Sequence, residues 1–302
     1  MHVRADVCIM RPMTDSRLVE PERADGRARN AAGALLRAWA PPALVERLRA
    51  RFGSVRWSGD YRSWSEAMAA CRGYAAEDIL SRVKRAATAV KEGRAAHERD
   101  GVVSHVVAPV WPLVASLLWI ASTRGGRLYV LDFGGSLGSS YQQHKGFLAG
   151  LGDLRWDVVE QPHFVECGRD HFADDVLRFH SDIDSCVRAC HPDVALLSSV
   201  LPYVEAPYAV LDSLVAHRVE YLLLDRTPFI DGSRDRLTVQ RVAPRLGAAS
   251  YPAWFFSRKK LDRYFEGRYR LVEQFDGTDN ANIRARFRGL LFQRLPGSAR
   301  AR

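Results

Sequence analysis

The spacing of apolar positions changes once along the chain, and the change divides it. Between residues 31 and 121 the pattern is helical. AAGALLRAW and PPALVERLRARF are followed by AEDILSRVKRAATAVKEGRAAHER (76–99), where Ile79, Val83, Ala86, Ala87 and Val90 fall on one face. Pro41 and Pro42 suit a helix start, because the first helical residues need no backbone donor. Ser63 stands three residues before Glu66, the spacing of a capping box. Residues 102–121 carry no formal charge and are long enough to imitate a membrane span. His105, Pro109 and Pro112 interrupt them, which favours a buried helix starting near Pro112. No strand-like alternation precedes Leu128.

After Arg124-Gly125-Gly126 short apolar runs alternate with amphipathic segments, as in a parallel sheet covered by helices on both faces. Five runs read as strands: RLYVLDF (127–133), LRWDVVE (154–160), 177–180, DVALLSS (193–199) and VEYLLLD (219–225). Helices are expected from about Ser139, over PHFVECGRDHFA, over 183–189 and over 207–217. Residues 226–256 are polar and Pro-punctuated, with LTVQRV (237–242) as a short strand. They predict a cover over the sheet edge, with Tyr251, Trp254, Phe255 and Phe256 on its underside. Ser257 would cap RKKLDRYFEG, and YRLVEQF (269–275) with RGLLFQRL (288–295) would close the chain as an antiparallel hairpin. The expected division is a leader over 1–30, a helical cap over 31–122 and an α/β core over 123–298 carrying a seven-stranded, mostly parallel sheet.

Composition adds exclusions. With 47% apolar and 26% charged residues in 302, the chain has the make-up of a folded globular protein. The net charge of +9 is spread over isolated arginines such as Arg37, Arg155, Arg188 and Arg245, so no nucleic-acid partner is expected. Five cysteines are too few for a disulfide framework and suit a reducing compartment. Residues 1–30 lack an apolar signal core, so a cytoplasmic protein without membrane attachment is expected, monomeric or dimeric through its amino-terminal helices. No metal is expected: His163, Cys167 and His171 lie four apart but lack a fourth ligand, and Cys186, Cys190 and His191 are too distant by spacing to supply it.

The strongest local signal is VLDFGGSLGSS (130–140), a strand ending in Asp132 that runs into a glycine turn and a helix. Gly134, Gly135 and Gly138 let backbone approach a ligand at the carboxyl end of the strands. The dinucleotide spacing G-x-G-x-x-G fails, because Ser136 and Ser139 occupy its second and third glycine positions. An acidic residue before a small-residue turn suits S-adenosylmethionine (SAM), which brings no phosphate to cradle. Strand two ends in Glu160, placed to accept ribose hydroxyls, with Gln161 beside it; Asp182 after strand three faces the adenine amine; Ser198 and Ser199 end strand four at the sulfur and amino-acid end.

With these residues in place the chain resembles the class I SAM-dependent methyltransferases, and more narrowly a bacterial methyltransferase-like family. The shared stretches are LDFGGSLGSSY (131–141), WDVVEQPHFVECGRDHF (156–172), LLSSVLPYVEAPY (196–208), LLDRTPF (223–229), DRLTVQRV (235–242) and ASYPAWFFS (249–257), with GDYRSWSEA (59–67) and Gly73-Tyr74 upstream. Ser136 replaces the usual middle glycine, and Pro202 stands where that narrower family carries a polar residue. The resemblance implies a Rossmann-like seven-stranded fold, SAM as cofactor and methyl transfer to a small acceptor. Relatives of this fold also resemble azetidine-2-carboxylic acid synthases, in which SAM's amine attacks its own side chain and releases methylthioadenosine. A SAM-binding module without turnover is the non-enzyme alternative.

Displacement at a sulfonium asks mostly for positioning and a shielded cation, so Tyr141, Phe164, Phe172 and Tyr203 are candidates to face it. A methyl acceptor also asks for a base, for which His144, His163, Asp225 and Tyr203 are candidates. Cyclisation would lean instead on Tyr141, Gln142 and Ser199.

Overall fold

The computed structural model describes residues 55–71, 76–106, 108–243 and 249–297. The leader, the two helices expected between 31 and 54, and Gly73-Tyr74 lie outside the described residues.

The centre of the molecule is the sheet that the apolar runs predict. β4 (Arg127–Phe133), β5 (Asp153–Val159), β6 (Leu177–His180), β7 (Val194–Ser198) and β8 (Tyr221–Ile230) pair in parallel in the order β6-β5-β4-β7-β8. β12 (Arg286–Arg294) adds antiparallel to β8, and β11 (Tyr269–Asp276) pairs antiparallel with β12. This is a Rossmann-like, mostly parallel α/β sheet, with the closing hairpin as expected. Every residue of β7 is buried, as are the last four of β4 and β5, because helices cover both faces. Those helices are α3 (Trp111–Ser122), α4 (Ser139–Leu148), α5 (Pro162–His171), α6 (Ile183–Cys190) and α7 (Pro207–Ala216). α3 starts one residue before Pro112 and buries Leu113, Val114, Leu117 and Ile120. Among the described residues no helix is long and apolar enough to cross a membrane.

Two expectations are corrected. Residues 226–256 are not a cover: β8 runs on to Ile230, β9 (Arg236–Val242) and β10 (Ala249–Ser257) pair antiparallel, and the end of β10 joins β8 at Phe229 and Ile230. Phe255 and Phe256 are sealed within the sheet's own core, and Trp254 stacks on Trp64. The segment before Leu128 is not all helix either. β1 (Val55–Tyr61) pairs with β9, which brings the sheet to ten strands among the described residues. α1 (Trp64–Ala69) and α2 (Ala76–Lys91) are followed by a hairpin of β2 (His97–Arg99) and β3 (Val102–Ser104), which cuts the expected helix short at Lys91.

The expected caps are present. Ser63 accepts the Glu66 N–H at 3.2 Å, while the Glu66 carboxylate reaches the neighbouring Arg62 N–H at 2.9 Å. Ser257 accepts the Lys260 N–H at the start of α8 (Arg258–Phe265).

Candidate active site

β5-β4-β7 is where the strand order reverses, and the loops leaving β4 and β7 diverge there. An open parallel sheet binds its ligands outside the carboxyl ends of the strands at such a point. Register partners fix the loop ends: Asp132 faces Val158 on one side and Leu196 on the other, and Ser198 faces Asp225.

The glycine turn is tightly held. Gly134 has φ +70°, and a Cβ there would lie 2.4 Å from the Val200 side chain, so the turn and the loop after β7 pack backbone to side chain. A Cβ on Gly135 would sit 2.5 Å from the Asp132 carboxyl carbon. Ser136, at the position of the missing glycine, still takes the left-handed conformation with φ +59°. Gly138, φ +84°, opens α4.

The acidic residues expected to line the site divide into two groups. Glu160 is fully buried; its Oε1 accepts the Ser136 N–H and its Oε2 the Gln161 N–H, both at 3.0 Å. It therefore ties the glycine turn to the end of β5. Asp132 is fully buried below the turn and accepts the Trp156 indole N–H at 3.0 Å. Asp182 caps α6 by accepting the Ser185 N–H at 2.7 Å. Burial opposes its charge, but that bond and the Ser181 and Ser185 hydroxyls hold its carboxyl below the usual range.

A cleft lies between the glycine turn, the end of β7, β8 and the β2-β3 hairpin. Ser136, Ser139, Ser140, Gln143 and His144 line it from the turn and α4; Ser198, Asp225 and Arg226 from the sheet; Glu98, Arg99 and Asp100 from the hairpin; Val110 and Leu113 from the start of α3. The Ser139 hydroxyl donates to Glu98, binding the hairpin to α4. Ser198 donates to Asp225 Oδ2 at 2.8 Å. Burial pushes the Asp225 carboxyl up, with the Arg226 cation pulling the other way. Arg226 makes a two-point contact with Asp279, at 2.6 and 3.1 Å. Burial works against its charge, and the Asp279 carboxylate more than offsets that, raising its pKa. Arg226 and burial together lower Arg99 below the ordinary arginine value, so the hairpin presents a cation already crowded by another.

Four candidate catalytic residues have other work. His144 is buried, with Nδ1 on the Ser140 carbonyl at 2.8 Å and Nε2 accepting the Val110 N–H at 3.2 Å. Burial lowers its pKa to about 4, so it is a neutral strut between α4 and α3. Tyr203 donates to Gln240 at 3.0 Å, and Gln240 donates to Tyr251 at 2.9 Å, a polar bridge between the loop after β7 and the added strands. Tyr141 packs against Trp156 outside the cleft lining, with burial raising its phenol. Ser199 takes φ +55° and gives its N–H to the Asp225 carbonyl at 2.9 Å. Ser198 and Asp225 alone among the predicted residues of β7 and β8 reach the cleft.

Sequence reasoning missed the hairpin, and with it Glu98, Arg99 and Asp100. Its signal was Asp100-Gly101, a dipeptide favoured in two-residue hairpin turns because both residues accept positive φ; here they have φ +56° and +78°.

No family model matches the chain, and no curated protein does. Among solved structures it is similar to the N-terminal domain of EvdMO1 in the presence of SAH and D-fucose (16% identity over 74% of this chain and 100% of that one, TM-score 0.43). It is also similar to Burkholderia thailandensis 1,6-didemethyltoxoflavin-N1-methyltransferase (14%, 74% and 92%, TM-score 0.39). A third is CalS10, an amino pentose methyltransferase from Micromonospora echinaspora (14%, 62% and 92%, TM-score 0.39).

Proposed function

We propose that the chain is a SAM-dependent enzyme that catalyses displacement at a carbon of the sulfonium, with methyl transfer to a small-molecule acceptor as its reaction. The observation that supports this best is the joint placement of the glycine turn, Glu160 and the Ser198–Asp225 pair around the point where the strand order reverses.

The residues present fit the cofactor. The cleft carries both signs of charge, Arg99 and Arg226 against Glu98, Asp100 and Asp225, as a zwitterionic amino-acid end requires. Glu160 closes β5 beside the turn and accepts the Ser136 and Gln161 N–H groups, which sets its carboxylate where a ribose hydroxyl would be accepted. Gly134, Gly135, Ser136 and Gly138 would shape the backbone against the cofactor, with Asp132 and Gln161 holding the turn and Asp182 bounding the adenine side. When bound, SAM supplies an electrophilic carbon attached to a thioether leaving group. Asp225 is the one carboxyl on the sheet side of the cleft, and its raised pKa makes it a stronger base than an exposed aspartate. It would take the proton of the acceptor nucleophile while Ser198 holds its other lone pairs in place. Glu160 acts through the turn it ties down, as a positioning residue.

A second reading is intramolecular cyclisation to azetidine-2-carboxylic acid. The paired charges of the cleft favour it, because both ends of an amino acid can be held there without a second substrate. Incubation of the enzyme with SAM alone, followed by mass spectrometry, separates the two. Methyl transfer predicts S-adenosylhomocysteine only when an acceptor is added; methylthioadenosine with a four-membered cyclic amino acid from SAM alone would replace it with cyclisation. A protein that binds SAM and forms neither product would be a binding module.

A further inference from the structure

Away from the cleft, between the sheet and α6, lies a cluster that neither the fold nor the proposed chemistry uses. Asp157 on β5, His180 on β6 and Cys186 on α6 offer ligand atoms within 4.8 Å of one another. Cys190, one turn further along α6, brings its Sγ to 3.8 Å from that of Cys186. The parallel register pairs Asp157 with Arg178 and Val159 with His180, so Asp157 and His180 project from the same face of the sheet, two residues apart. Cys186 and Cys190, at i and i+4, share the inward face of α6 above them. Asp157 and Cys186 are fully buried, and Cys190 is nearly so.

The arrangement is incompletely satisfied. Oδ1 of Asp157 contacts His180 Nε2 at 2.6 Å, but Oδ2 is sealed from solvent and has no hydrogen-bond partner. A buried carboxylate oxygen left without a partner is costly, and such atoms are rare in folded proteins.

We propose that Asp157, His180, Cys186 and Cys190 form a closed structural site for one zinc ion. The donor set of two thiols, an imidazole and a carboxylate is one that zinc accepts, and four protein ligands with no open position mark a structural site rather than a catalytic one. Two thiolates at about 2.3 Å from a tetrahedral centre stand about 3.8 Å apart, which is the separation of the two sulfurs here. The Asp157–His180 contact, 2.6 Å, would open as each group turns to the ion. Both thiols lose their protons on coordination, so one dication enters as two protons leave and the net charge of the buried pocket does not change. This avoids the cost that an uncompensated charge would bring. Bound zinc would pin the four-residue edge strand β6 to β5 and α6, and so fix the turn that carries Asp182.

The test uses the untagged, reduced full-length protein, supplied with zinc and then freed of excess metal. One zinc per chain is expected by elemental analysis. Cobalt substituted for it should give a near-ultraviolet thiolate-to-metal absorption that is lost in the C186S/C190S double variant, and a chelator should lower the Tm of the wild type but not of D157N. Folded, reduced wild-type protein that retains no zinc and gives no thiolate–cobalt absorption would overturn the site. If the double variant does not fold, C190A alone serves, where a weakened cobalt absorption is expected and an unchanged one contradicts Cys190 as a ligand.

Discussion

Ser198 and Asp225 are the last register partners of β7 and β8, and the serine hydroxyl donates to the aspartate carboxylate at 2.8 Å on the floor of the cleft. Asp225 is held at full burial with its pKa raised by desolvation. As the proton acceptor it must be ionised, so activity should fall as pH drops through its raised pKa. The acid limb of kcat/KM then lies above the usual aspartate range. Asp225→Asn should lower kcat by about 10²–10⁴-fold and abolish that limb. Steady-state kinetics across pH check both parts, and an acid limb retained in the variant would assign it to another group.

His144 gives a stability rather than a rate prediction. Its folded pKa of about 4 lies below the ordinary 6.5, so the folded state prefers the neutral ring. The stability this contributes is present above pH 6.5 and is lost as pH falls through the window down to about 4. Over that window the loss should reach about 3 kcal/mol. His144→Gln should be less stable at neutral pH and show a flatter dependence between these limits. Urea unfolding at a series of pH values measures it.

Arg226 and Asp279 form a buried ion pair that fastens β8 to the loop before β12. Removing one partner leaves the other charged and buried. Asp279→Ala should therefore cost about 3–5 kcal/mol, read as a fall in the denaturation midpoint without a change of slope.

Ser136 occupies a left-handed position with φ +59° that costs a residue with a side chain about 1–2 kcal/mol. Ser136→Gly should recover about 1 kcal/mol while preserving the N–H bond to Glu160, seen as a higher Tm with cofactor affinity retained.

The strands buried on both faces were legible because β4, β5, β7 and β8 each carry a short apolar run, Leu128–Leu131, Val158-Val159, Val194–Leu197 and Tyr221–Leu224, set between helical segments. β1 was not: only Val55 and Trp57 are buried in it, too few for an alternation to register. β10 was misread because Pro252 and its aromatic run resemble a covering loop, yet Pro252 sits in the ladder opposite Val239. At the site, Glu160 and Asp225 could be placed from strand ends alone. Which residues face the cleft depends on the hairpin that folds against α4, a contact between segments forty residues apart that local periodicity does not encode. The cluster of Asp157, His180 and the two cysteines was hidden for the same reason. Spacing along one helix revealed Cys186 and Cys190, but their partners come from two neighbouring strands.

The central claim, SAM held at the turn that Glu160 anchors, is tested most directly by calorimetric titration with S-adenosylhomocysteine. Wild-type protein should bind it saturably and more tightly than NAD. Glu160→Gln removes an ionised acceptor from two N–H groups, a loss of about 1–3 kcal/mol, so the variant should bind roughly tenfold or more weakly while remaining folded by circular dichroism. Equal affinity in a folded variant, or tighter binding of NAD than of S-adenosylhomocysteine by the wild type, would contradict the account.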